Sequence, residues 1–184
     1  MPVPYSLIPT PCFEETMQSK LVEIPPLRLV GFDFFGDPFR SYGGWTEENE
    51  IGRLWVRWMT YMDAVQPPLP YLVPQPVWYE VHVYHPETLQ TGEFEVFAGV
   101  EVSTLGEFPP EVVVKTLPGG RYAVFTLAGQ EIVSDWTWQL DHEWLPALGV
   151  ERCTTYSIQR YDARFKGMHA VDESELDVYI PLLQ

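Results

Sequence analysis

VKTLPGGRYAVFTLAG at residues 114–129 decides the fold once it is laid on VEIPPLRLVGFDFFG at residues 22–36. In each stretch a short apolar strand meets a proline, Pro118 or Pro25. A basic residue follows, Arg121 or Arg28, and then an apolar run that ends at Gly129 or Gly36. With Arg28 on Arg121 the copies stand 93 residues apart. A repeat of that size in 184 residues predicts a folded duplication, and the cleft between its halves is the expected place for a site.

Working outward, later segments repeat in the same order. YEVHVYHPE from Tyr79 matches YSIQRYDAR from Tyr156 at a spacing of 77, and FEVF from Phe94 matches LDVY from Leu176 at a spacing of 82. Strands are expected at 20–24, 27–35, 77–84, 94–103, 112–116, 121–127, 154–161 and 175–182, where β-branched and aromatic residues cluster between turn signals. Ile51, Leu54, Trp55, Trp58, Met59 and Met62 recur at helical spacing, so 48–64 reads as a helix with Thr46 placed to cap it. A second helix is expected over 130–145, with Val133, Trp136, Leu140 and Trp144 on one face, ending at Pro146 and Gly149. The prolines from Pro67 to Pro76 predict a stiff crossover, and those in residues 1–12 an irregular arm. The fold class is therefore α+β. Two strand-helix-strand-strand units, about 13–108 and 109–184 of a single domain 1–184, join their sheets antiparallel, with both helices on one side and a central groove.

Composition narrows the partners. The formal net charge is −15, with 11 Lys and Arg against 26 Asp and Glu. Neither a nucleic-acid backbone nor an anionic membrane surface fits that balance directly. Solubility explains the acidity, and a basic protein partner is compatible with it. Cys12 and Cys153 are the only cysteines, and no CxxC or zinc spacing of His82, His85, His142 and His169 occurs, so neither metal nor cofactor is expected. No stretch approaches 18 apolar residues and MPVPYSLIPTP lacks the apolar helix of a signal peptide, so a cytoplasmic location is the expectation.

IPPLRLVGF, GRLWVRWM, FEVFAGVEV, the LPGGRYAVFTLAG turn, W-x-W-x(5)-WLPALG, YDARF and ELDVYIPL, in this order over residues 20–183, resemble the GyrI-like family, also called AraC-type effector-binding or SOUL-related domains. The resemblance implies two pseudo-symmetric halves around an aromatic-lined groove that takes small organic compounds, often cationic and lipophilic. Relatives include modules joined to helix-turn-helix domains, stand-alone drug-sequestering and gyrase-inhibitory proteins, and enzymes that open strained cyclopropane rings by hydrolysis. With the resemblance beginning near residue 20, no helix-turn-helix module is expected within this sequence. The family commonly carries E-x-Y-D on its penultimate strand. Here the segment is Gln159-Arg160-Tyr161-Asp162, so an amide replaces the pocket carboxylate and another acid must supply any charge.

The candidate ligand-binding residues are Trp55, Trp58, Glu80, His82, Tyr84, Tyr122, Phe125, Trp136, Gln159 and Tyr161. Indoles and phenols stack on flat ligands, and tryptophan offers the strongest cation-π face; the competing role for each ring is core packing. Strand alternation puts Glu80, His82 and Tyr84 on one face, and Ser157, Gln159 and Tyr161 on one face of the matching strand. Glu80 is the candidate cation partner, with a solvated sheet edge as its bland alternative. Glu80 and Glu101 are the candidate acids should the groove hydrolyse a reactive electrophile. Binding of a small aromatic or amphiphilic compound for sensing or sequestration is the leading reading. The electrophile hydrolase and an acidic protein-interaction or inhibitor module are the alternatives.

Overall fold

The computed structural model describes residues 17–44, 46–75, 77–153 and 155–183. The proline-rich arm of residues 1–12 with Cys12, and also Trp45, Pro76 and Thr154, lie outside them. The described residues form an antiparallel sheet of eight strands: β1 Gln18–Ile24, β2 Leu27–Gly36, β3 Trp78–Val83, β4 Phe94–Glu101, β5 Val113–Leu117, β6 Gly120–Ala128, β7 Tyr156–Tyr161 and β8 Glu175–Pro181. Their order is β1-β6-β8-β7-β3-β4-β2-β5. Every strand expected from the sequence is present.

The two opening stretches of the sequence analysis pair with each other. β1 runs into β2 across Pro25 and Pro26, and β5 into β6 across Pro118 and Gly119. The pairing keeps one register through both breaks, with Ile24 opposite Gly120 and Leu27 opposite Leu117. The breaks fall at prolines because proline has no N–H to give a ladder. β1 and β2 nevertheless stand first and seventh in the strand order. A connection this short draws the two sides of the sheet toward each other, so the sheet curls while its edge strands β1 and β5 stay unpaired with one another. Its concave face gathers Leu29, Tyr79, Val81, Phe97, Tyr122 and Ile158 into a core of its own.

The ladders test the repeat. Val81 pairs with Phe97; Ile158, 77 residues after Val81, pairs with Tyr179, 82 residues after Phe97. Those two spacings hold together. The third is two residues out: Gly31 pairs with Gly99, Pro181 lies 82 residues after Gly99, and the partner of Pro181 is Tyr122. Gly31 therefore corresponds to Tyr122, 91 residues on rather than 93. A slip of two keeps every side chain on its own face, so alternation does not reveal it.

The helices cover the other face. Helix α1, Glu50–Ala64, presses Leu54 and Trp58 onto Val30, Val96, Ala98 and Val100 of β2 and β4. Full burial of such side chains contributes about 1.5–3 kcal/mol each. Asn49, not Thr46, caps α1: its side-chain oxygen accepts from the Gly52 N–H at 2.9 Å. Gly52 is required there, because a Cβ would collide with the Thr46 carbonyl as the loop folds back over the helix start.

The second helix is not continuous, contrary to the pattern read from Gln130 to Leu145. A 3-10 turn, Gly129–Val133, comes first. The Ser134 hydroxyl then donates to the Glu131 carbonyl at 2.8 Å, and the Thr137 hydroxyl donates to the Asp135 carboxylate at 2.6 Å. Such short-range bonds compete with helix propagation. The chain resumes as Thr137–Gln139, widens into a π turn over Leu140–Trp144, and closes as Leu145–Leu148. The widening precedes Pro146, which cannot donate to the residue four back; the Leu145 N–H reaches the Leu140 carbonyl instead. Ile132, Trp136, Leu140 and Leu145 still pack on β6 and β8. Between this layer and α1, the central strands β3 and β7 stay uncovered.

Candidate functional site

A cavity of about 970 Å³ fills that gap. α1 supplies Trp55 and Met59, β3 supplies Trp78, Glu80 and His82, and β7 supplies Gln159 and Tyr161. The chain leaving β7 completes the wall with Asp162, Phe165 and Met168. Both halves of the repeat contribute.

Glu80 sits at its floor, 2% exposed and directly opposite Gln159 in the ladder. One carboxylate oxygen, Oε2, accepts from the Trp55 indole N–H at 2.5 Å. The other, Oε1, accepts from His82 Nε2 at 2.7 Å and from Gln159 Nε2 at 3.1 Å. An ionised carboxylate only accepts, so the hydrogen on His82 must be on Nε2 and the Gln159 amide must turn its nitrogen inward. The Tyr161 hydroxyl secures that orientation by donating to Gln159 Oε1 at 3.1 Å. Burial, and then the adjacent Glu80 charge, hold the Tyr161 phenol far above its ordinary range, so it remains a donor. Trp55 meets Tyr161 edge-on with centroids 5.4 Å apart, and Tyr161 meets Phe165 at 4.9 Å.

Ion pairs fix the wall beyond β7. Arg164 donates to Asp162, to Glu175 and, at 2.6 Å, to Asp177. Arg160 reaches Asp162 at 2.6 Å. The hydrogen bonds from Arg164 drive the Asp162 pKa well below the usual carboxylate range, against the opposing effect of burial. A group depressed on folding stabilises fully above its unfolded value, near pH 4, and loses that contribution as pH falls below it. Thermal melts between pH 6 and pH 2 are expected to show a steeper acid loss for the wild type than for Asp162→Asn. Parallel curves would show that the pairing does not survive in solution.

The structure brings Trp55, Glu80, His82, Gln159 and Tyr161 together at the cavity and places the other sequence candidates elsewhere. Trp58, three residues from Trp55, turns into the core and is fully enclosed. Phe125 lies under Trp144, and Trp136 is packed in the same cluster. Tyr122 belongs to the concave face, where its hydroxyl donates to the Pro118 carbonyl at 2.8 Å. Tyr84 packs on Phe94 at the end of β3. Glu101 accepts from the Tyr79 hydroxyl at 3.2 Å, and Tyr79 belongs to the core opposite the cavity. Trp78, Met59 and Phe165 were missed as lining residues. The helical spacing of Met59 from Trp55 and the strand spacing of Trp78 from Glu80 carried that signal for two of them.

The family profile described as integron-associated effector binding protein, Cass2, matches residues 20–182. The chain belongs to this family. Its class of function is effector binding, and the GyrI-like resemblance reached from sequence stands with it. The chain is 29% identical over 168 residues to the transcriptional regulator BrlR of Pseudomonas aeruginosa, covering 90% of this chain and 56% of the regulator. It thus spans about half the length of that relative. Its fold is similar to an integron cassette protein from the mobile metagenome of Vibrio cholerae, with TM-score 0.55, 17% identity, and coverage of 91% of this chain and 97% of the other. It is also similar to SAV2435 in a structure bound to tetraphenylphosphonium, with TM-score 0.59, 15% identity, and coverage of 91% and 94%. Among the described residues no helix is long and apolar enough to cross a membrane.

Proposed function

We propose that the cavity binds a bulky aromatic cation, with Glu80 as its counter-charge. One observation carries this reading: a carboxylate 2% exposed lies on the floor of an aromatic-walled cavity, and among the described residues His82 is the only basic side chain within ion-pairing distance of it. A buried charge without a full partner is costly, and a ligand cation offsets that cost. Indole walls add cation-π attraction. In this chain Glu80, across the ladder from Gln159, takes over the charge that the family's usual Glu at position 159 would carry. Tetraphenylphosphonium, bound by SAV2435, is the natural probe. Similarity to a transcriptional regulator supports a sensing role in the cytoplasm, with a DNA-binding module as partner. Hydrolysis fits the geometry less well: Glu80 already holds three donors, and Glu101 serves the opposite face.

Titration with tetraphenylphosphonium is expected to quench tryptophan fluorescence saturably and leave the compound intact, because Trp55 and Trp78 line the cavity. No saturable quenching up to millimolar probe, with no heat in calorimetry, would refute the proposal.

A further inference from the structure

We propose that the cavity selects cations carrying no N–H donor, such as phosphonium or quaternary ammonium groups, over protonated amines of the same shape. This rests on Glu80 being the counter-charge. The argument is a count of acceptors. A carboxylate offers about four lone-pair sites. Oε1 of Glu80 holds His82 and Gln159, and Oε2 holds Trp55, so three donors already occupy it. Except for His82 Nδ1, which has no partner among the described residues, the other acceptors deep in the cavity are engaged too. Gln159 Oε1 accepts from Tyr161, and Asn49 Oδ1 from the Gly52 N–H. The Asp162 oxygens are held by Arg160 and Arg164. What faces a ligand beside Glu80 is ring surface from Trp55, Trp78 and Phe165. Glu47 and Asp63, carboxylates with no hydrogen-bond partner among the described residues, lie at the exposed rim.

One site on Oε2 stays open, so a protonated primary amine brought to this depth can place one N–H on Glu80, and its remaining N–H groups must displace a protein donor or be buried undermatched. Either route costs about tenfold in affinity or more for each unmatched group. A cation without donors needs only the field of the carboxylate and the ring faces. Gln159 is then a specificity-determining residue. Its amide fills an acceptor site that an amine would use.

The test uses matched pairs on one scaffold: naphthylmethyl-trimethylammonium against naphthylmethyl-ammonium, measured by calorimetry beside tetraphenylphosphonium. The wild type is expected to prefer the quaternary cation at least tenfold. Gln159→Met removes one donor from Glu80 and should narrow that ratio at least threefold. Trp55→Phe, which keeps a ring in the wall but drops the indole N–H, should narrow it as well and serves if Gln159→Met does not fold. A difference due solely to amine hydration would leave the ratio unchanged in both variants, and that result would overturn the inference. Equal or tighter binding of the primary amine by the wild type would do the same. If tetraphenylphosphonium itself fails to bind, the counter-charge reading falls first. If it binds and Glu80→Gln abolishes binding while the pairs are not distinguished, the selectivity alone is wrong.

Discussion

Glu80→Gln is expected to weaken tetraphenylphosphonium binding about 30- to 100-fold while leaving a neutral aromatic of similar size unaffected. The magnitude follows from charge at short range. Two unit charges about 5 Å apart at an effective dielectric near 20 attract by about 3 kcal/mol, and part of that is lost to residual solvent. Glutamine keeps the volume and removes the charge, so packing against Trp55 and Gln159 changes little. It adds a local conflict, because its NH₂ must face a donor, either the Trp55 indole or the pair from His82 and Gln159. That conflict costs about 1 kcal/mol of stability, a fall of a few degrees in Tm. Glu101→Gln is the control. Its carboxylate bonds Tyr79 on the opposite face, and probe affinity should not move. Equal losses for the charged and the neutral probe would mean that the substitution deformed the cavity, and the counter-charge role would fall.

Strands and site were legible in the sequence to different depths, for physical reasons. A period of two is a strong signal, and all eight strands were found with ends displaced by a residue or two. The same period places Glu80, His82, Gln159 and Tyr161 on matching faces. It did not show which residue opposes which. The spacing of 77 makes His82 the counterpart of Gln159, yet the ladder sets Glu80 opposite Gln159 and His82 opposite Ser157. Internal correspondence and cross-strand pairing are different relations in an antiparallel pair, and sequence similarity reports the first alone. The helical face of α1 was equally plain, but an apolar stripe does not say where core ends and cavity begins. Trp55 and Trp58 share the stripe and face different surroundings. The broken second helix was hidden because Val133, Trp136, Leu140 and Trp144 keep helical spacing across interruptions made by Ser134, Asp135 and Pro146. Phe165 was out of reach because the loop that carries it has no period, and ion pairs from Arg164 to Asp162 and to β8 hold it in place.

Those ion pairs make Arg164 the residue whose loss should destabilise the protein most among the charged positions. Its guanidinium joins Asp162 beyond β7 to Glu175 and Asp177 on β8. Asp177 is 4% exposed at its side chain, and its remaining partners are Thr126 at 2.8 Å and Arg160 at 3.8 Å. Removing Arg164 leaves the buried Asp177 charge undercompensated, and because Arg164 itself is 38% exposed solvent screens part of the loss, which then costs about 2 kcal/mol. For a domain of this length Arg164→Met should therefore lower Tm by about 4–8 °C. Arg164→Lys should recover less than half of that, since a point charge cannot meet three carboxylates in a planar fork. The effect should reach the site. Phe165 follows directly and packs edge-on against Tyr161, whose hydroxyl orients Gln159 toward Glu80. Loosening the segment should raise the Kd for tetraphenylphosphonium several-fold even at temperatures where the variant is fully folded. Asp162→Asn should cost less than Arg164→Met in both measurements, because the Asp162 side chain is only partly buried and its loss leaves the Arg164–Asp177 bond intact. A melt of Arg164→Met within 2 °C of the wild type would mean that solvent already screens the network. The wall of the cavity would then owe its position to the aromatic contacts alone.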